Sequence, residues 1–169
     1  MRADVMGLWM LVVVSGIALP AVAAESNAGD QKSRYGVSLS RVYLAHQRLL
    51  AVRDACAQAF PGQAKAGEMA YGAWQRRHKA LLTELDNRVT LMIHGSSKDE
   101  KDYMRNVGKY EGSVLEYRNG ERDELLAQPR DGMEQGCADF RAYLIGSGSD
   151  FNREYAEELR VLRQRKLPK

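Results

Sequence analysis

The chain has 169 residues, 25 Lys and Arg against 22 Asp and Glu, and a formal charge of +3. From Arg153 to Lys169 six Lys/Arg stand against three Glu, so the whole surplus sits at the C-terminus and the preceding chain is balanced. The basic stretch lacks interleaved aromatics, so no nucleic-acid partner is expected, and no second apolar run is long enough to cross a bilayer.

The N-terminus reads as an export leader. Arg2 gives a short charged region, Met6 to Leu19 an apolar run too short for a comfortable membrane span, and Pro20 with "AVAA" a small-residue cleavage site. A signal peptide is expected over residues 1–24, with an uncleaved anchor as the alternative. Removing it leaves about 145 residues, enough for one domain with a real core. The location implied is periplasmic or secreted, in a bacterium. Residues 25–36, "ESNAGDQKSRYG", are polar with two glycines and read as a disordered lead-in.

The domain is expected over 37–169. Val42, Ala45, Leu49, Val52, Cys56 and Ala59 recur at three- and four-residue steps, one apolar stripe that Pro61-Gly62 ends. A second helix is expected from Ala66 to His94 on the stripe Ala70, Trp74, His78, Leu81, Leu85, Val89 and Met92, with Gly95 as a left-handed cap. Ser97 with Glu100 predicts a capping box opening the third helix. There Tyr103, Tyr110 and Tyr117 repeat every seven residues with Val107 and Val114 between them, and Asn119-Gly120 would end or kink the helix. Asp131 with Glu134 opens a fourth helix carrying Met133, Cys137, Phe140 and Leu144. After "GSGS", Asp150 would cap a last helix with Phe151, Tyr155, Leu159 and Leu162 inward. No strand-like alternation occurs. The expected fold is all-α, an up-down four-helix bundle with an additional C-terminal helix.

The chain holds two cysteines. In an oxidising compartment they predict one disulfide, Cys56–Cys137, with a bond between two chains as the alternative. In an up-down bundle the end of helix one and the start of helix four share one end, so bond and topology support each other. "RDAC" (Arg53 to Cys56), at a helix end in a small exported helical chain, resembles bacterial lysozyme-inhibitor-like proteins. That resemblance covers four residues, and no function is carried over from it.

Candidate functional residues are few. His78 interrupts an apolar stripe, a place where a lone histidine is usually a hydrogen-bonded core residue. His46 lies beside the first stripe, and His94 near a helix end is satisfied by the helix dipole. Metal binding would need further ligands, and no HxxxH, ExxH or CxxC pattern exists, so no metal and no cofactor are expected. The tyrosines form either a core edge or a recognition groove. The tail residues Arg160, Arg163, Arg165, Lys166 and Lys169 form either a solubilising end or a contact for an anionic partner. Nucleophile elbows, phosphate loops and haem-attachment motifs are absent. The expected function is a non-enzymatic binding module for a protein or envelope component. The alternatives are a small-ligand or metal site around His46, His78 and the helix-three tyrosines, and a hydrolase with an unrecognised site.

Overall fold

The computed structural model describes the backbone of residues 21–165 and the side chains of residues 33–165. Residues 1–20 of the expected leader, and the tail residues Lys166 and Lys169, lie outside the described residues. Within them the chain is all-helical, without strands: α1 (Ala21–Ala59), α2 (Pro61–Arg77), α3 (Lys79–Gly95), α4 (Glu100–Leu126), α5 (Arg130–Ile145), a 3-10 turn (Ser147–Ser149), α6 (Phe151–Glu154) and α7 (Ala156–Gln164). None of these helices is long and apolar enough to cross a membrane.

α1 is the central element and touches α2, α3, α4, α5 and α7. Between Pro20 and Pro61 no proline interrupts the chain, so the stretch 25–36, expected as an irregular lead-in, is helical and continuous with the rest of α1. Pro61 both ends α1 and opens α2. At the first helical position its missing N–H costs nothing, which moves the start of the second helix from the expected Ala66 back to Pro61.

The second helix divides at His78 (φ −103°, ψ 10°), between α2 and α3. α3 ends without a left-handed glycine: Gly95 is helical, no described glycine has positive φ, and the Ser96 N–H bonds back to the Met92 and Ile93 carbonyls. The hydroxyls of Ser96 and Ser97 also donate to the Ile93 carbonyl, at 2.9 and 2.7 Å. Ser97 is thereby taken out of the expected box. Asp99 caps α4 instead, accepting from the Asp102 N–H at 2.8 Å, while the Asp102 carboxylate accepts from the Lys98 N–H at 3.0 Å.

α4 runs unbroken through Asn119-Gly120 to Leu126. Asp131 lies in the first turn of α5 rather than capping it, where the helix dipole favours a carboxylate. Asp150 caps α6 as expected, accepting from the Asn152 N–H at 3.0 Å. A break at Tyr155 then divides the last helix into α6 and α7, and the expected five helices become seven among the described residues.

The main core joins Leu39 and Val42 of α1, Trp74 of α2, Leu81 and Leu85 of α3, Leu144 of α5, and Phe151, Leu159 and Leu162 from the last segments. A smaller cluster of Ala55, Phe60, Met133 and Cys137 surrounds the disulfide between Cys56 and Cys137, whose Cα atoms lie 5.6 Å apart. α4 differs from the other long helices. Of its 27 residues none is buried, although Tyr103, Val107 and Tyr110 pack half-buried against the main core.

A tyrosine-lined groove as candidate functional site

His78 is consumed by structure. Its ring is 4 % exposed, with Nδ1 2.9 Å from the Trp74 carbonyl and Nε2 3.3 Å from the Phe151 N–H. A carbonyl only accepts and an amide N–H only donates, so Nδ1 carries the proton and Nε2 accepts. The ring closes the C-terminus of α2 and satisfies the first N–H of α6. Neighbours fasten the same corner: Trp74 Nε1 donates to the Ser149 carbonyl at 2.8 Å, and Arg77 donates to the Leu144 carbonyl at 2.5 Å. The Gly146–Ser149 segment that interrupts the last stripe is thus gripped by the end of α2.

His46 stacks on the same indole. Ring centroids are 5.9 Å apart for His46 and Trp74, and 4.4 Å for Trp74 and His78. His46 Nε2 is 2.8 Å from the Tyr71 hydroxyl. Burial, and then the positive charges of Arg118 and Arg53, push its pKa down to about 4, so the imidazole is neutral at ordinary pH. Asp54 holds both arginines, bonding Arg53 at 2.6 Å and pairing with Arg118.

The two histidines are therefore stacked on Trp74, while the tyrosines of α4 meet other partners. Tyr103 packs on His94 with centroids 5.2 Å apart, Tyr110 on Tyr43 at 5.9 Å, and Tyr117 lies beside Glu121. Among the described residues no group of three or more His, Cys, Asp or Glu is placed to hold a metal ion.

What Tyr103 and Tyr110 share is a cavity. A groove of about 360 Å³ opens between α1, α3 and α4. Tyr43 and Gln47 of α1 form its floor, and Asp86, Val89, Thr90 and Ile93 of α3 one wall. The seam Tyr103, Val107, Tyr110 and Val114, with Glu111, Leu115 and Arg118, forms the other. The seven-residue spacing brings the tyrosines to this wall because residues seven apart on a helix fall on nearly the same face. Tyr117, one step further, lies outside it.

Gln47 is 7 % exposed, and its carboxamide makes no hydrogen bond among the described residues. Among the described residues no side-chain nitrogen or oxygen is sealed off without a partner, so solvent reaches this amide, and the groove it lines is the opening on that side. Asp86 and Glu111 have no ion-pair partner among the described residues, whereas Arg118 is engaged by Asp54. Partial burial pushes the Asp86 carboxyl above its usual range. The Tyr110 hydroxyl is pushed far up by burial, with Tyr43 and Asp86 adding to the effect. Tyr43 rises for the same first reason, with Asp86 and Glu111 behind it. Asp86 of α3 thus acts on both tyrosines, and Glu111 of α4 on Tyr43.

Sequence reading reaches the tyrosine seam but misses Tyr43, Gln47 and Asp86. A usable signal exists, since Tyr43 and Gln47 are four apart beside Val42 of the α1 stripe, and Asp86 follows Leu85 on the stripe of α3.

The described part of the basic tail makes contacts both within its own helix and with the rest of the fold. Arg160 pairs with Glu157 at 2.8 Å, Arg163 with Glu84 at 2.9 Å, and Arg165 lies over the Tyr35 ring at 5.6 Å. The Arg165 carbonyl accepts from Arg88 at 3.1 Å, and Arg88 is itself 3 % exposed and bonded to Glu84. No protein-family model, curated protein or solved structure matches this chain.

Proposed function

We propose that the protein is an exported, non-enzymatic binding module whose recognition site is the groove between α1, α3 and α4. One observation carries this: a helix of 27 residues buries none of them, yet turns its tyrosine–valine seam onto a cavity of small-molecule size. The occupant is a small ligand or the projecting end of a larger envelope component. A disulfide and the lack of a membrane-crossing helix among the described residues are compatible with an extracellular location.

The up-down arrangement of four arms belongs to the same reading. It is supported by the disulfide from the end of α1 to α5, and by His94 meeting Tyr103 across the α3–α4 turn.

Leu115 is 55 % exposed on the groove wall, so Leu115→Arg should fold normally and fill the cavity. Ligand-detected NMR of a small-molecule library is expected to find saturable binders of the native protein that Leu115→Arg no longer holds. Binders retained equally by both proteins would refute the groove as the site.

A further inference from the structure

We infer that the ligand of this groove carries a cationic nitrogen, an alkylammonium or guanidinium head on an apolar body, set between Asp86 and Glu111 against the rings of Tyr43 and Tyr110. The inference rests on the binding reading above and adds the chemistry of the occupant.

Four observations converge on it. Asp86 and Glu111 stand on facing walls, and neither has a cationic partner among the described residues. The cation on the wall, Arg118, is already bound by Asp54. Between the carboxylates the Tyr43 and Tyr110 rings, tilted 53° with centroids 5.9 Å apart, offer the electron-rich surfaces on which organic cations rest. One turn along α1 from Tyr43, the unpartnered carboxamide of Gln47 supplies a donor and an acceptor.

The charge logic excludes the opposite ligand. An anion would meet two carboxylates, and a neutral body would leave both unpaired beside it. A cation satisfies both carboxylates, and the hydroxyls of Tyr43 and Tyr110, which burial keeps protonated, accept from its N–H groups. The partly desolvated Asp86 gains most from such a partner. Val89, Ile93, Val107 and Val114 cover the apolar remainder.

The test compares three probes of one length and three charges: hexylamine, 1-hexanol and hexanoate, by titration calorimetry on the purified protein. Hexylamine is expected to bind saturably at one site, hexanol roughly tenfold more weakly, and hexanoate not at all. Asp86→Asn and Glu111→Gln should each weaken hexylamine by roughly three- to tenfold and leave hexanol unchanged. Neither side chain is ion-paired among the described residues, so neither substitution breaks a contact and the melting temperatures should not fall, which separates loss of charge from loss of fold.

Hexanol binding as tightly as hexylamine, or hexylamine indifferent to both substitutions, would overturn the cation while leaving the groove a binding site. No saturable binding by any of the three would overturn both readings. Nα-acetyl-lysine N-methylamide identifies the source of the cation: binding tighter than hexylamine assigns it to a peptide lysine, and weaker binding to a free amine.

Discussion

His46→Gln should remove a specific acid sensitivity. The folded imidazole titrates near 4, against 6.5 for a free histidine, because burial, Arg118 and Arg53 all oppose its charged form. A folded-state pKa below the unfolded one means that the unfolded chain binds the proton first. Stability is then full above about pH 6.5, falls as the pH drops toward 4, and levels off below it. The interval is worth at most about 3 kcal/mol, with a slope of up to about 1.4 kcal/mol per pH unit. Glutamine cannot titrate and still offers the Tyr71 hydroxyl a partner, so the packing around Trp74 is largely kept. Asp54 also loses stabilisation on acidification. Burial pushes its carboxyl up, but hydrogen bonds from Arg53 and Arg118 hold it below its usual 3.8, so its loss comes mainly below the histidine window. Urea unfolding of both proteins between pH 7.5 and 4.5 measures the difference directly. The native protein should lose up to about 3 kcal/mol relative to His46→Gln across that range. Parallel stability curves would refute the argument, showing that the arginines and burial do not act on this ring as described.

Two further outcomes follow from the ends of the fold. Non-reducing peptide mass spectrometry should find Cys56 joined to Cys137 with no free thiol. Replacing both by alanine should lower stability by about 4.5 kcal/mol, the chain-entropy value for two cysteines 81 residues apart, and free thiols in the native protein would sink that reading. Ending the chain at Leu162 removes Arg163 from Glu84 and the Arg165 carbonyl from the buried Arg88. The expected loss is about 1–3 kcal/mol, a melting temperature several degrees lower, and an unchanged value would mean that these contacts contribute nothing.

Periodicity made the helices legible because each long stripe, from Val42 to Cys56 and from Leu81 to Val89, reports burial against a neighbour, whatever that neighbour is. The breaks were not legible for the converse reason. Nothing in Arg77-His78-Lys79 marks a stop. The helix breaks there, where the His78 ring takes the Trp74 carbonyl and the Phe151 N–H, a bond spanning 73 residues. Asn119-Gly120 misled in the other direction. Glycine lowers helix propensity, but a side chain added at Gly108, Gly112 or Gly120 would meet no heavy atom within 4 Å, so neither packing nor an alternative partner compels a bend. The groove was half legible: the tyrosine seam can be counted along α4, whereas Tyr43 and Asp86 join it only when α1 and α3 are placed alongside. The contact of the tail with the core was not legible, because the Arg165 carbonyl meets the buried Arg88 only once α3 and α7 are placed side by side.

The position of α4 within the covalent framework has a dynamic consequence. α4 lies along α1 and α3 with half-buried side chains and no fully buried one, so its amides should exchange with solvent sooner than those of the helices that carry the core. Yet the entire helix lies inside the ring closed by Cys56 and Cys137, with only the residues from Ala127 to Gly136 between its end and the crosslink. A lifted α4 therefore stays tethered close to its seat and redocks as an intramolecular event at high effective concentration. The disulfide thus keeps this wall of the groove within reach of its floor whenever the helix lifts, without the surrounding core giving way.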